Sequence, residues 1–146
     1  MSIQSSFERA FLRMRERNWD KIYVLVDIHD TIFKASYRNK ETCQWFPYAK
    51  ESLQIMTQAE NINLILWSSS YRDSIEKNYM KEFDDNGIKF DFININEETE
   101  NNDLSCFDEK TYFNVGIDDK FGFDSEKDWE TVYNYLVESI RLGKFR

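Results

Sequence analysis

Lys21-Ile-Tyr-Val-Leu-Val-Asp27 is an unbroken apolar, β-branched run that ends in an acid. A run of this kind reads as a strand buried on both faces, the pattern of a parallel sheet. A second such run, Asn61-Ile-Asn-Leu-Ile-Leu-Trp67, ends in Ser68-Ser69-Ser70. Lys89 to Ile95 and Tyr112 to Ile117 read as a third and a fourth strand, and the fourth ends in Asp118-Asp119. Helical patterns lie around and between them. Phe7, Ala10, Phe11 and Met14 recur at i, i+3, i+4, i+7 and predict an amphipathic helix over 5–18, with Ser5 and Ser6 as candidate N-caps. Pro47 suits the first turn of a helix carrying Ala49, Leu53, Ile55 and Met56. Residues 72 to 85 read as one helix, with Ser70 as its cap, Asp73 in its first turn and Gly87 just past its end. Asp128 is the expected cap of a last helix whose apolar residues are Trp129, Val132, Tyr133, Leu136, Val137 and Ile140. Residues 32 to 46 and 96 to 109 read as loops. Strand and helix in alternation argue for an α/β fold with a parallel sheet and right-handed crossovers.

The 146 residues suit one domain, residues 1–146, with the helix at 5–18 as an N-terminal addition. Apolar residues make up 41% and aromatic residues 16%, enough for a packed core. Four glycines and one proline are too few for the many tight turns of an all-β sandwich. The net charge of −8 sets the average field against nucleic acid and anionic membranes. Arg9, Arg13, Arg15 and Arg17 alternate with acids and apolar residues, the pattern of a solvated helix face. Cys43 and Cys106 have no CxxC spacing, and no run is long enough to span a bilayer. A soluble protein of a reducing, cytoplasmic compartment is the expectation.

Ligands of open α/β sheets bind beyond the carboxyl ends of the strands. Asp27, Ser68 and Asp118-Asp119 all fall there. Three converging carboxylates repel one another strongly in a low-dielectric site, and a hard divalent cation removes that penalty. Mg²⁺ takes oxygen ligands and keeps waters, so two carboxylates, a phosphate and water suit it. A carboxylate can then attack phosphorus and form an aspartyl-phosphate. Ser68 can hold the phosphoryl group, and a lysine such as Lys110 can neutralise the remaining charge. Lys81, in a surface helix, is the second candidate for that role. The plainer readings stand beside these: strand-end polarity for the acids, helix capping for the serines, solvation for Lys110, and core or rim packing for Tyr37, Trp45 and Trp67.

Val26-Asp27-Ile28-His29-Asp30-Thr31-Ile32 resembles the first motif of the haloacid dehalogenase superfamily, usually written DxDGT. Leu64-Ile65-Leu66-Trp67-Ser68-Ser69 resembles its second motif, and Lys110 to Lys120 its third and fourth in one short segment. Phe90 to Asn96 and Asp128-Trp129 are similar to small capless members. The resemblance spans residues 21 to 135. It implies a three-layer Rossmann-like fold, a mainly parallel sheet of about four to five strands with helices on both faces, and no cap domain. Asp27 would be nucleophile and metal ligand, with the backbone carbonyl of His29, Asp118 and Asp119 completing the Mg²⁺ site. Ser68, or Ser69 if the register is shifted by one, would hold phosphate. Thr31 would support the loop and the phosphate site, and Lys110 would orient Asp27. The activity implied is Mg²⁺-dependent hydrolysis of a phosphomonoester, on a large phosphorylated substrate if the open site is used as other open sites are.

Two positions depart from the motif. His29 stands where a second Asp acts as general acid and base. An imidazole can take that role, or its presence marks a weak enzyme or a non-catalytic binding or regulatory protein. Asp30 stands where glycine is usual, and Asp tolerates left-handed backbone better than most residues. A nucleic-acid end phosphatase is a third reading, which the negative charge disfavours. Substrate identity, pathway and oligomeric state are not legible in the sequence, because specificity resides in loops.

Overall fold

Two strands form the centre of the molecule, and both are apolar runs read above. In the computed structural model, which describes residues 2–35 and 43–146, β1 (Ile22–Asp27) and β2 (Ile62–Trp67) pair in parallel along their whole length, Ile22 opposite Ile62 and Asp27 opposite Trp67. β3 (Phe92–Ile93) flanks β2, and β4 (Val115–Ile117) flanks β1. The sheet has four strands in the order β3-β2-β1-β4, all parallel. Flanking helices make this an α/β protein with a Rossmann-like three-layer architecture. β3 and β4 are shorter than the spans 89–95 and 112–117 expected of them. Single hydrogen bonds extend both ladders, from Asp91 N to Leu64 O, Asn94 N to Leu66 O and Asn114 N to Tyr23 O. At Asn94 the backbone turns left-handed, φ 60°, and the strand stops.

Side chains alternate across the sheet. Val24, Val26, Leu64, Leu66, Val115 and Ile117 join one core with the helices. Helix α1 (Ile3–Glu16) contributes Phe7, Ala10, Phe11 and Met14. It begins two residues before the expected start because Ser2 is its cap, with Oγ accepting from Ser5 N at 3.1 Å. Its three arginines, Arg9, Arg13 and Arg15, and its C-cap Arg17 are exposed. Helix α2 (Ala49–Gln58) follows Pro47 and a left-handed Tyr48, so the proline precedes the first turn and does not lie in it. Helix α5 (Asp128–Arg141) packs on α1 and α2. Its inward stripe is Trp129, Val132, Leu136 and Ser139 with Tyr135. Val137 and Ile140, expected inside, lie one stripe away and are exposed. Asp128 is the first helical residue and not the cap; its carboxylate accepts the Asp124 N–H at 2.7 Å.

The helix expected over 72–85 is two helices, α3 (Arg72–Asn78) and α4 (Met80–Asp85). The break falls at Tyr79, φ −117°. The Tyr79 ring there is wholly buried and stacks on Phe33 at 5.6 Å. The residues after α4 follow the sequence reading closely. Gly87 adopts φ +69°. Its N–H reaches Asp84 O, and the Ile88 N–H reaches Phe83 O, the paired bonds that close a helix C-terminus. Trp45 and Trp67 are partly buried packing aromatics; Trp45 also donates Nε1–H to Glu82 at 2.9 Å. Tyr37 lies outside the described residues.

Tyr23, Leu25, Asn63, Ile65 and Gly116 alternate onto the other face of the sheet. The connection from 94 to 114 overlies that face and contains no helix. Its fastening is Glu98, whose carboxylate takes hydrogen bonds from Lys21, Tyr23 and Asn63. No helix among the described residues is long and apolar enough to cross a membrane.

Space is open where a Cβ on Gly87 would point, so only the left-handed backbone resists an alanine there. Gly87→Ala is expected to lower the unfolding free energy by about 1 kcal/mol, read by urea denaturation, with the slope of the transition unchanged.

Candidate active site

The carboxyl end of β1 is followed at once by a tight loop. Ile28 O accepts from the N–H groups of Ile32 and Phe33 at 2.9 and 3.1 Å, and Asp30 N–H donates to Phe33 O at 2.7 Å. Ile28 and Ile32 are wholly buried and pin the loop to the core. The turn needs a left-handed residue, and Asp30 supplies it at φ 59°. Its carboxylate steadies that geometry by accepting Ala35 N–H at 3.0 Å, and its carbonyl accepts the Ser125 hydroxyl at 2.5 Å. One residue on, the Thr31 carbonyl accepts the indole N–H of buried Trp129 at 2.7 Å.

This loop brings Asp27 to Asp118 and Asp119. One carboxylate oxygen from each lies within 4.8 Å of the others. Asp118 is buried, Asp27 half-buried and Asp119 exposed. Asp118 also caps the turn Asp119–Phe121, accepting Lys120 N–H at 2.9 Å. The Thr31 hydroxyl stands between the acids, 3.1 Å from Asp27 Oδ2 and 3.2 Å from Asp119 Oδ1, and accepts Asp119 N–H at 3.1 Å. It has one proton for two carboxylates. Thr31 is wholly buried, so its role is to hold the loop and the acids; its hydroxyl is not presented to a phosphate.

The electrostatics follow from this crowding. Burial, then the charge of Asp118, pushes the Asp27 carboxyl up to about 7; the Thr31 hydrogen bond opposes the rise and Asp119 adds to it. Asp118 is also raised, by burial first, against the Lys120 N–H that stabilises its charge.

Ser68 follows β2, whose last residue, Trp67, lies opposite Asp27. Ser68 is buried, and its backbone is bracketed by one side chain: Asn94 Oδ1 accepts Ser68 N–H at 2.8 Å, and Asn94 Nδ2 donates to Ser68 O at 2.9 Å. Ser68 Oγ accepts Ser70 N–H at 3.1 Å and retains its own proton to donate. Ser69 is exposed. Ser70 does not cap α3; the cap position is Tyr71, with no side-chain bond. His29 places Nε2 2.7 Å from the Tyr79 hydroxyl, its ring edge-on to the phenol at 5.5 Å.

Lys110 does not join the cluster. It is exposed, and among the described residues no hydrogen bond or ion pair links its ammonium to Asp27. The neighbouring Thr111 is tied to Asn94 O at 3.0 Å, just past the end of β3, and Tyr112 packs its ring on Tyr23 of β1. Lys81 pairs with Asp85 at 2.6 Å on an exposed surface and is no alternative. Sequence reasoning missed three supports: the Asn94 bracket, the Ser125 hydroxyl and the Trp129 indole. Asn94 and Trp129 sit in segments singled out by resemblance, but nothing in the sequence signalled Ser125.

Fold and site together define an α/β protein whose parallel sheet delivers three carboxylates and a serine to one edge. No family model matches the chain, and no curated protein matches it. Among solved structures it is similar to a conserved protein from Bacteroides thetaiotaomicron, with a TM-score of 0.62 and 25% sequence identity over 82% of this chain and 92% of the other.

A carboxyl raised to about 7 holds a proton in the folded state that the unfolded chain has lost above about 4. The resulting stability is complete below the unfolded value and is lost as pH rises through 7. With a chelator present, the melting temperature is expected to fall by about 5 °C between pH 5 and pH 8. Asp27→Asn should flatten this slope and make the protein more stable than its parent at pH 8, both read by calorimetry.

Proposed function

We propose that the chain is a Mg²⁺-dependent phosphomonoester hydrolase of the haloacid dehalogenase type, acting through Asp27. The observation that carries this reading is the approach of three carboxylates within 4.8 Å at the end of a buried central strand. Such an arrangement is unfavourable with all three charged and becomes favourable around a dication. The donor set fits Mg²⁺: every candidate ligand is an oxygen, from Asp27, Asp118, Asp119 and the backbone of His29. The bound ion would supply positive charge that offsets the acids and lets a phosphate dianion approach.

The remaining chemistry belongs to the protein. The Asp27 oxygen opposite the Thr31 hydrogen bond attacks phosphorus, and the bond from phosphorus to the ester oxygen breaks. Ser68 donates to the phosphoryl oxygens. The leaving oxygen takes a proton from the His29 imidazolium, and the neutral imidazole then takes one from the water that cleaves the aspartyl-phosphate. Inorganic phosphate leaves and Asp27 is regenerated. The Tyr79 hydroxyl orients the ring of His29. The two cysteines, Cys43 and Cys106, lack CxxC spacing and accord with the reducing, cytoplasmic compartment in which we place the protein.

One observation favours a second reading, a weakly catalytic or regulatory protein that binds the ion and phosphate. No lysine is joined to Asp27 among the described residues, so charge balance at the nucleophile rests on the cation alone.

Hydrolysis of p-nitrophenyl phosphate decides between the two. Turnover is expected with Mg²⁺ and not with chelator, and Asp27→Asn should reduce kcat by about a thousandfold or more. A rise in melting temperature on adding Mg²⁺ at pH 8, without turnover, would select the regulatory reading.

A further inference from the structure

Residues 105–113 of the long connection fold around a cavity of about 440 Å³, lined by Phe107, Tyr112, Phe113, Cys106, Thr111 and Lys110 among others. Three of these side chains are aromatic. The Phe107 and Tyr112 rings meet edge to face at 5.5 Å. Thr111 Oγ1 donates to Asn94 O, and Asn94 in turn brackets the Ser68 backbone. Thr111 of the cavity wall is therefore linked to Ser68 through one residue, Asn94, at the edge of the sheet where the carboxylates lie.

Size, chemistry and charge each narrow the occupant. A volume of this order takes a single ring system or a ring with its sugar, and is too small for a folded partner. Aromatic walls favour a planar ring, stacked or edge-on. The charge is unusual for a phosphate-directed pocket. From Glu97 to Lys110 the sequence carries Glu97, Glu98, Glu100, Asp103, Asp108 and Glu109 against one cation, Lys110. That cation makes no ion pair among the described residues, and it lines the cavity. Lys110 is the one charged residue of the lining, and a single ammonium matches a single phosphate.

We propose that this cavity binds the planar ring of an aromatic phosphomonoester, with Lys110 set between the ring and its phosphate. The direction in which that phosphate points, towards Ser68 and Asp27, rests on the hydrolase reading; occupancy of the cavity does not. Lys110 is then a substrate-binding residue, which accounts for its separation from Asp27.

Cys106 offers a readout independent of turnover, because it is free, exposed and part of the cavity lining. In a Cys43→Ser protein, the rate of Cys106 alkylation by N-ethylmaleimide is followed by mass spectrometry with phenyl phosphate or glycerol phosphate present. Phenyl phosphate is expected to slow labelling about fivefold when its concentration is about four times its Kd, and glycerol phosphate to leave the rate unchanged. Phe107→Leu and Lys110→Met should each reduce that protection. Equal labelling with and without phenyl phosphate, up to its solubility, would overturn the inference, as would equal protection by glycerol phosphate. Protection by phenyl phosphate without Mg²⁺-dependent hydrolysis would sink the hydrolase reading and leave the cavity assignment standing; hydrolysis without protection would do the reverse.

Discussion

Three acids held within a few ångströms at the end of a buried strand repel one another, and the structure around them is built to withstand that repulsion. Asp27 cannot retreat, because β1 is paired on both sides and its alternate residues are locked in the core. Asp118 is committed by its cap on the turn that follows β4. Thr31 then ties the first loop to the second with a single hydroxyl placed between Asp27 and Asp119. Around Thr31 the restraint extends outwards, to the Trp129 indole on its carbonyl and the Ser125 hydroxyl on the carbonyl before it. The repulsion within the cluster is opposed by this surrounding framework of hydrogen bonds.

The central strands and the first helix were legible because their signals are local and strong. Six-residue apolar runs have few alternatives to a doubly buried strand, and Phe7, Ala10, Phe11 and Met14 keep a clean helical period. The carboxylate cluster was legible for a related reason: strand ends in a parallel sheet share an edge, so acids at strand ends converge. What failed depended on tertiary detail. The break falls at Tyr79, whose ring is wholly buried, and no periodicity records it. On α5, Val137 and Ile140 fit an apolar helix pattern, yet the stripe that faces α1 and α2 is the adjacent one through Ser139. The cap expected at Ser5 lies three residues earlier, at Ser2, and those expected at Ser70 and Asp128 lie one residue away, at Tyr71 and Lys127, which make no side-chain cap bond for a sequence pattern to reveal. Lys110 was placed by its spacing before Asp118, and spacing says nothing about a segment whose path is fixed through Asn94.

The two departures from the first motif have different structural weight. Asp30 fits, because its own carboxylate takes over part of the work of holding a left-handed turn. Replacing it by glycine would ease the backbone and delete a hydrogen bond, effects of opposite sign and similar size. His29 alters chemistry more than conformation. The Tyr79 hydroxyl can donate to a neutral ring nitrogen or accept from a protonated one, so this contact is compatible with either charge state of the imidazole.

The strap over the second sheet face is stitched down at Glu98 and again where Asn96 donates to the Tyr112 carbonyl. Between those stitches lie residues 99–111, none of them in a strand. Closing a longer loop costs little once its ends are fixed, about 0.6 kcal/mol for each doubling of length. This stretch can therefore lengthen, shorten or change composition while the strands beneath it keep their register. In evolutionary terms it is the part of the molecule most open to innovation, where a new recognition surface can be grafted beside an old acidic edge without refolding the domain.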